Sequence, residues 1–536
     1  MRLPLTLFAF ALIVVTTSWR WMGAPGRLAG THAADGKVQC LSYAPFRGAQ
    51  SPLTPRARVE RAQIEEDFAR LAAVTKCVRT YSIDHGLDQI PAVAEQFGLK
   101  VIQGLWLSSD RAKNGSEIDG VVALAKRYPH VITAIVVGNE VLLRGELSAN
   151  DLSQILRTVK AAVPMPVTYA DVWEFWLRNR ELAAAADFIT IHILPYWEDE
   201  PIPAHAAGAH VDAIRQQVGA AFPGRDILIG EVGWPSQGRM RQGALPSPSN
   251  QGRVIEDVVA RAAQRGYRAN LIEAFDQPWK RALEGTVGGY WGLFTGAGRE
   301  PKFVLGQPVS DHPYWPWQAL GGVVLVCLVF AATWRAAGGA ADKIRPVIWV
   351  AVSLNAVAGG VLAGWAIEKG MVESVGAGGA LRSATLALLA IAGPLAGSAL
   401  LARDDRLPGF ARLLGARDER PADPLVLAAG FLLILLTLAA IETALGLVFD
   451  PRYRDFPFAA LTAASIPFLV QRWIGPKGEG SRGVAETAAA WVLAVGAAYI
   501  VLNEGVANWQ AVWLAASFFA LALTLARGRD AQSSKS

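Results

Sequence analysis

Cysteine is scarce in this chain, at three residues in 536. A disulfide-rich scaffold is therefore excluded, and the lack of any CxxC or Cys/His grouping removes structural zinc and a dithiol redox couple. A glycine-rich phosphate loop is also missing. The first strand-like segment runs into Tyr43-Ala-Pro-Phe-Arg47, without the small residues that an open dinucleotide-binding sheet places there. Basic tracts that would follow a nucleic acid are lacking as well. The net charge of +5 rests largely on arginines in short loops between apolar runs, where insertion bias accounts for them, so no nucleic-acid partner is expected. Two cysteines each precede a strand-like segment, Cys40-Leu-Ser-Tyr43 and Cys77-Val-Arg-Thr-Tyr81. They are either a structural disulfide at the base of adjacent strands or two buried thiols.

What is abundant is apolar surface. Hydrophobic residues make up 52% of the chain, and the excess lies beyond Trp317, where runs approach the ~20 residues that cross a bilayer. Three parts follow. Residues 1–36 read as a signal anchor or signal peptide: Arg2 precedes an apolar core from Leu3 to Val15, and Thr31-His-Ala33 is the nearest small-residue cleavage candidate. Its distance from the core, and Arg20 directly after the core, favour an uncleaved anchor. Residues 37–312 mix charged and apolar segments as a globular domain does. The boundary Pro313-Tyr-Trp-Pro-Trp317 has the aromatic character of a membrane surface. Residues 313–536 carry seven apolar segments, near 317–334, 346–366, 383–402, 424–449, 456–470, 486–502 and 509–526. Of these, 456–470 is short and contains Pro457 and Pro467.

With an exported middle domain, the inward loops hold Arg335, Lys343, Arg345, Arg403, Arg406, Arg412, Arg417, Arg420, Arg472, Lys477, Arg482, Arg527, Arg529 and Lys535. The outward loops hold only Lys369, Arg382, Arg452 and Arg454. That asymmetry predicts a multi-pass membrane protein with the middle domain outside, a cytoplasmic C-terminus and the lipid bilayer as partner. Glu442, inside an apolar run, is either a functional carboxylate or one bonded neutrally to a neighbouring helix.

Between residues 38 and 280, strand-like segments end near Tyr43, Tyr81, Trp106, Val137, Tyr169, Ile193, Ile229 and Phe275. They alternate with amphipathic stretches such as Arg58–Val74, Asp151–Val163 and Asn250–Arg265. Eight such units predict an α/β fold, a (β/α)8 barrel, followed by the all-α multi-pass membrane domain.

Two of those strands end in carboxylates. Ile227-Leu-Ile-Gly-Glu231-Val-Gly-Trp234-Pro-Ser236 places Glu231 at a strand mouth beside an aromatic wall, and Val131-Ile-Thr-Ala-Ile-Val-Val-Gly-Asn139-Glu140 repeats the arrangement with an amide before the acid. On a barrel the two would face each other at the ~5–5.5 Å of a double-displacement glycosidase. The bland alternative is a pair of chance loop carboxylates or salt-bridge partners. Trp173, Phe175, Trp176, Tyr196, Trp197, Trp234, Trp279 and Trp291 all follow strand ends. There their rings can cover sugar faces, although half are expected to be packing. Arg79, Tyr81, His192 and Glu273 are candidates to orient the carboxylates or the sugar, with a satisfied core histidine the other reading of His192. The chemistry requires no metal and no cofactor.

Tyr81 within Val78-Arg-Thr-Tyr-Ser82, Val137-Gly-Asn-Glu-Val141, Glu231-Val-Gly-Trp-Pro-Ser236, Glu273-Ala-Phe-Asp276-Gln-Pro-Trp279-Lys280 and Trp291-Gly-Leu-Phe294 resemble, in order, the strand-end motifs of glycoside hydrolase family 17. These are retaining β-1,3-glucan endohydrolases and glucanosyltransferases on (β/α)8 barrels. The resemblance covers residues 38–305 and implies Glu140 as acid/base and Glu231 as nucleophile. It further implies a substrate site from Tyr43, Arg79, Tyr81, Asn139, Tyr169, His192, Tyr196, Trp197, Trp234, Glu273, Asp276, Trp279 and Lys280. Two features depart from the plant members: Gly230-Glu-Val-Gly-Trp234 stands where they have Ser-Glu-Ser-Gly-Trp, and they lack the membrane part. The combination is more similar to bacterial membrane-bound relatives, among them transglycosylases that remodel periplasmic β-1,3/1,6-glucans in rhizobia. The expected activity is therefore transglycosylation of a β-glucan, with a membrane glucan synthase as a further partner. A β-1,3-glucan endohydrolase and a non-catalytic glucan-binding sensor or export subunit are the alternatives. A transporter would instead show paired broken helices in two halves, and only the prolines of 383–402 and 456–470 hint at that.

Overall fold

The computed structural model describes residues 2–26, 36–476 and 483–526. Thr31-His-Ala33, Lys477, Arg482, Arg527, Arg529 and Lys535 lie outside the described residues. The chain divides into two units, one from Pro25 to Val309 and one formed by the segments before and after it.

The first helix, α1 (Arg2–Met22), belongs to the second of these units. The other unit is a closed barrel of eight parallel strands in sequence order. Its elements run β1 (Cys40–Ser42), α2 (Arg61–Val74), β2 (Cys77–Arg79), α3 (Ile90–Gln96), β3 (Lys100–Leu105), α4 (Arg111–Arg127) and β4 (Ile132–Asn139). They continue with α5 (Ala149–Ala162), β5 (Val167–Val172), α6 (Trp173–Arg178), β6 (Ile189–His192), α7 (Ala204–Ala221), β7 (Ile227–Val232), α8 (Pro248–Arg265), β8 (Arg268–Leu271) and α9 (Arg281–Gly288). Pairing of Cys40 with Asn270 and Leu41 with Leu271 closes the ring. The expected (β/α)8 architecture is thus what these residues form.

Strands covered on both faces read as apolar runs, and β7 is buried along its whole length. Alternation sorts the side chains. Leu41, Val78, Ile135, Val167 and Ile229 join the layer between strands and helices. Cys40, Ile102, Ala134, Val136, Ala170, Phe188 and Leu228 fill the barrel interior. Helices start where polar caps allow: Asp110, Ser148 and Ser247 accept amide hydrogens at the first turns of α4, α5 and α8. The eighth strand stops at Leu271 rather than near Phe275, because the next amides split between partners. Ile272 N–H donates to Val232 O, that of Glu273 to Trp291 O and that of Ala274 to Ser42 O. Cys40 and Cys77 form a disulfide with a Cα separation of 4.4 Å. It joins β1 to β2, which pair one residue further on through Leu41 and Val78.

In the helical unit α1 is followed by α10 (Trp315–Ala337), α11 (Pro346–Glu373), α12 (Gly376–Arg403), α13 (Phe410–Leu414), α14 (Pro424–Phe449), α15 (Phe458–Ile474), α16 (Val484–Glu504) and α17 (Trp509–Ala526). Seven described helices are long and apolar enough to cross a membrane, although not the expected seven: α1 is one of them, and α15 is not. At 17 residues α15 reaches only about 25 Å. It packs against α11, α12 and α17, with Phe458, Ala459, Leu461, Ala463, Ala464 and Phe468 buried. Helix α1 is built into this bundle: Val15 and Trp19 are fully buried, and Trp19 Nε1 donates to Gly360 O at 3.2 Å. Glu442 is not alone. Its carboxylate meets Arg382 of the neighbouring α12 at 3.0 Å and Arg454 at 3.5 Å and is half exposed, so it is bonded to a neighbouring helix, as one of the two readings expected, and to a loop arginine besides.

Candidate active site

The barrel mouth is built from strand-end residues whose side chains point inward. Glu231 sits on β7 in register with His192 of β6. The residue before it must be small: a Cβ on Gly230 would press on Thr190 Cγ2 and, at 3.2 Å, on the His192 ring. Glu140 follows β4 in a left-handed backbone conformation, φ +53°, after Gly138 at +82°. A non-glycine residue seldom adopts that conformation, and such strain gathers at ligand-handling sites. The turn is held because Glu140 N–H donates to Ala170 O at 2.8 Å and the Arg144 guanidinium bonds Asn139 O, Leu107 O and Glu146. Arg144 itself stacks over Trp106, 4.3 Å from the ring centre.

One oxygen from each of Glu140 and Glu231, together with a His192 ring nitrogen, lies within 4.8 Å of the others. His192 stands between the acids, with Nδ1 2.8 Å from Glu140 Oε1 and Nε2 3.7 Å from Glu231 Oε1. Such a trio has metal-ligand spacing, and the buried Arg79 guanidinium lies 3.0 Å from Glu231 Oε1.

Arg79 is the hub. Nη1 donates to Glu231 Oε1 and to Gly230 O, and Nη2 donates to Asn139 Oδ1 at 2.5 Å. The Tyr81 hydroxyl donates to Glu231 Oε1 at 2.8 Å and lies 2.8 Å from Ser42 Oγ. Ser42 in turn accepts from Asn270. Every donor to Glu231 converges on Oε1, and no side chain among the described residues donates to Oε2. Burial raises the Glu140 carboxyl, but the hydrogen bond and charge of His192, with Arg79 and Arg144, hold it below the ordinary carboxylate range. Burial drives the Tyr81 hydroxyl well above its usual value, helped by the Glu231 charge.

A second polar group lies beyond β8. Lys280 Nζ bridges both oxygens of Glu273, at 2.9 and 3.0 Å. Burial lifts the Glu273 carboxyl to about 7 against the pull of Lys280. Burial also lifts Glu284, although Lys280 lowers it, and the charges of Glu140 and Glu231 add to the rise. Glu284 is thus a carboxyl of the same mouth that the sequence reading did not single out.

Several expected contacts face elsewhere. Tyr43 is buried with its hydroxyl on Asp67 at 2.9 Å, and Tyr169 is buried against Asp171 while accepting from Leu142 N–H at 3.0 Å. Both follow an inward residue, Ser42 or Thr168, so alternation turns them toward the helices. Tyr196 OH donates to Arg239 O, Trp234 Nε1 to Leu245 O and Trp176 Nε1 to Thr190 O. These rings are core, as is Trp291, whereas Trp173, Phe175, Trp197 and Trp279 are partly exposed. Asp276 is a brace: Lys302 Nζ lies 2.5 Å away and Gly292 N–H donates to it at 2.9 Å. Ser42, Arg144, Asn270, Glu284 and Lys302 went unnoticed in the sequence. Only Arg144, four residues after Glu140 as on one helical turn, carried a local signal.

Residues 40–292 match the model of the BtgE/BtgC glycoside hydrolase domain. A glucan 1,3-beta-glucosidase of Arthroderma benhamiae is 28% identical over 261 residues, covering 46% of this chain and 84% of that protein. The Saccharomyces cerevisiae glucan 1,3-beta-glucosidase is 26% identical over 254 residues, with 43% and 81% covered. A probable beta-glucosidase, btgE, of Aspergillus fumigatus is 29% identical over 225 residues, and the match spans only 39% of its length. Among solved structures, the family 17 beta-1,3-glucanosyltransferase of Rhizomucor miehei aligns at 22% identity and a TM-score of 0.45, over 51% of this chain and 98% of its own. The family 17 resemblance carried by the strand-end motifs is borne out: the barrel of this chain is similar to the BtgE/BtgC glycoside hydrolase domain.

Proposed function

We propose that the protein is a membrane-held, retaining β-1,3-glucan transglycosylase in which Glu140 is the acid/base and Glu231 the nucleophile. One observation carries the reading: carboxylate oxygens from two strand ends within 4.8 Å of one another. That distance suits the ~5–5.5 Å of double displacement and leaves no room for the water that inverting enzymes hold between acids ~6.5–9.5 Å apart. The names of the fungal relatives support β-1,3-glucan as the substrate class.

Glu140 protonates the glycosidic oxygen as the bond to the anomeric carbon breaks, and Glu231 forms the new bond. Since Arg79 and Tyr81 both hold Oε1, Oε2 is the oxygen that attacks. Arg79 takes Asn139 Oδ1, which leaves the Asn139 amide hydrogens for a sugar hydroxyl. In the second half Glu140, now ionised, takes a proton from the incoming hydroxyl, which displaces Glu231. A sugar outcompetes water, at ~55 M, only through the large effective molarity of a held acceptor. Trp173 and Trp197, partly exposed beyond β5 and β6, supply such a platform; Trp176, being buried, does not.

The Cys40–Cys77 disulfide supports an oxidising, extracytoplasmic site for the barrel, and the loop charges support a periplasmic one. The packing of α1 within the helical unit supports its retention as an anchor. The test is to incubate the purified full-length protein with one β-1,3-linked oligosaccharide. Products longer than, or branched relative to, the substrate should appear early; shorter sugars alone at every concentration would make it a hydrolase.

A further inference from the structure

The loops after β1 and β2 and the first turn of α4 line an open cavity of about 570 Å³ on the same face of the barrel as the two glutamates. Its walls include Arg56, Arg58, His85 and Lys113, against one carboxylate, Asp84. Lys113 and Asp84 pair at 3.0 Å, whereas neither arginine has a carboxylate partner among the described residues. His85 donates its Nδ1–H to Ala57 O at 2.8 Å, which fixes the ring against the loop. Two of these residues, Arg56 and His85, hold left-handed backbones at φ +60°. The conformations are fixed rather than fluid. Val59 N–H donates to His85 O at 2.7 Å, Ala57 N–H to Thr54 O at 3.1 Å, and Gln89 Nε2 to Gly86 O at 2.8 Å. Arg56 and Arg58 are exposed to solvent, and left-handed backbone of this kind gathers at ligand clamps. A concave wall with an excess of positive charge also focuses its field.

We propose that this cavity is an anion subsite for a phosphate-type group borne by the sugar chain that lies across the barrel mouth. Guanidinium forks match phosphate oxygens in pairs, which ammonium groups do not. The site adjoins the chemistry: Tyr81, which holds Glu231, is four residues from His85, so their Cα atoms are no more than about 15 Å apart. Ser82 and Ile83, between them, are pinned to Glu117, as is Trp106 N–H. The inference rests on the glucan reading above, and it makes the enzyme one that favours anionically substituted chains over neutral ones.

The test uses the full-length protein in detergent with a neutral β-1,3-linked pentaose and with a set of the same pentaose phosphorylated at single 6-hydroxyls. One phosphorylated isomer should exceed the neutral sugar about tenfold in kcat/KM, through KM, as a charge-assisted contact allows. In an Arg56→Asn/Arg58→Gln variant that preference should collapse, with turnover of the neutral pentaose unchanged. Asn tolerates the left-handed backbone at 56, so folding is not at stake. Inorganic phosphate should compete with the phosphorylated isomer alone, and its calorimetric binding should vanish in the variant. Equal kcat/KM for all isomers and the neutral sugar, or a preference that survives both substitutions, overturns the proposal. Phosphate binding without any substrate preference also overturns it, by making the cavity a site for free anion. Failure to process even the neutral pentaose sinks the glucan reading, and loss or retention of phosphate binding in the variant then still decides whether the cavity is an anion site.

Discussion

His192 Nδ1 and Glu140 Oε1 are 2.8 Å apart, and this contact places a titratable ring on the group that must deliver a proton. Because His192 holds Glu140 below the ordinary carboxylate range, the protonated acid is lost early as pH rises. Replacing His192 with Asn removes that pull and lets burial raise the carboxyl. The alkaline limb of kcat/KM, which reports the free enzyme's acid, should move to higher pH. An unmoved limb would mean that His192 does not set the acid.

The two glutamates should separate kinetically. Glu231→Gln should abolish the glycosyl-enzyme and lower kcat by at least about 10⁴. Glu140→Gln should slow natural glucans far more than activated aryl glycosides, since only a poor leaving group needs a proton. The reverse pattern would exchange the two roles.

Lys280 is the only cation bonded to the buried Glu273 among the described residues. Lys280→Met should therefore destabilise the barrel by up to about 3–5 kcal/mol at alkaline pH, where Glu273 is ionised, and by less near neutrality, where the lifted carboxyl takes up a proton. Adding Glu273→Gln should restore much of the loss. Thermal inactivation of the single and double variants measures the coupling.

The disulfide spans a sequence separation of 37 residues, for which chain entropy gives about 4 kcal/mol. A Cys40→Ala/Cys77→Ala variant should lose activity on heating at a temperature several degrees lower, and reductant should reproduce the shift in the wild type only.

Topology is testable by fusion. A reporter at Gln307 should be active only outside the cytoplasm and one at the C-terminus only inside. Both on one side would refute the charge-based orientation.

Local pattern was enough for the architecture. Eight apolar segments alternating with amphipathic ones specify a barrel because each period states which face of an element is covered. Strand-final Glu140 and Glu231 then fall at its mouth by topology alone. Tyr43 and Tyr169, expected at the substrate, turned out to face the helices, because alternation puts them one residue after the inward Ser42 and Thr168. The apolar runs beyond Trp317 likewise announced the helical unit, and 456–470 already stood out among them as short. Which groups meet inside the mouth was not legible. Arg79 reaches Glu231 across 152 residues and His192 reaches Glu140 across 52. Lys302 braces Asp276 from a segment with no strand of its own. The bonding of Cys40 to Cys77 likewise waited on β1 and β2 becoming neighbours. Periodicity records the environment of a side chain, whereas hydrogen-bond partners depend on the closure of the sheet, which brings distant strand ends to one point.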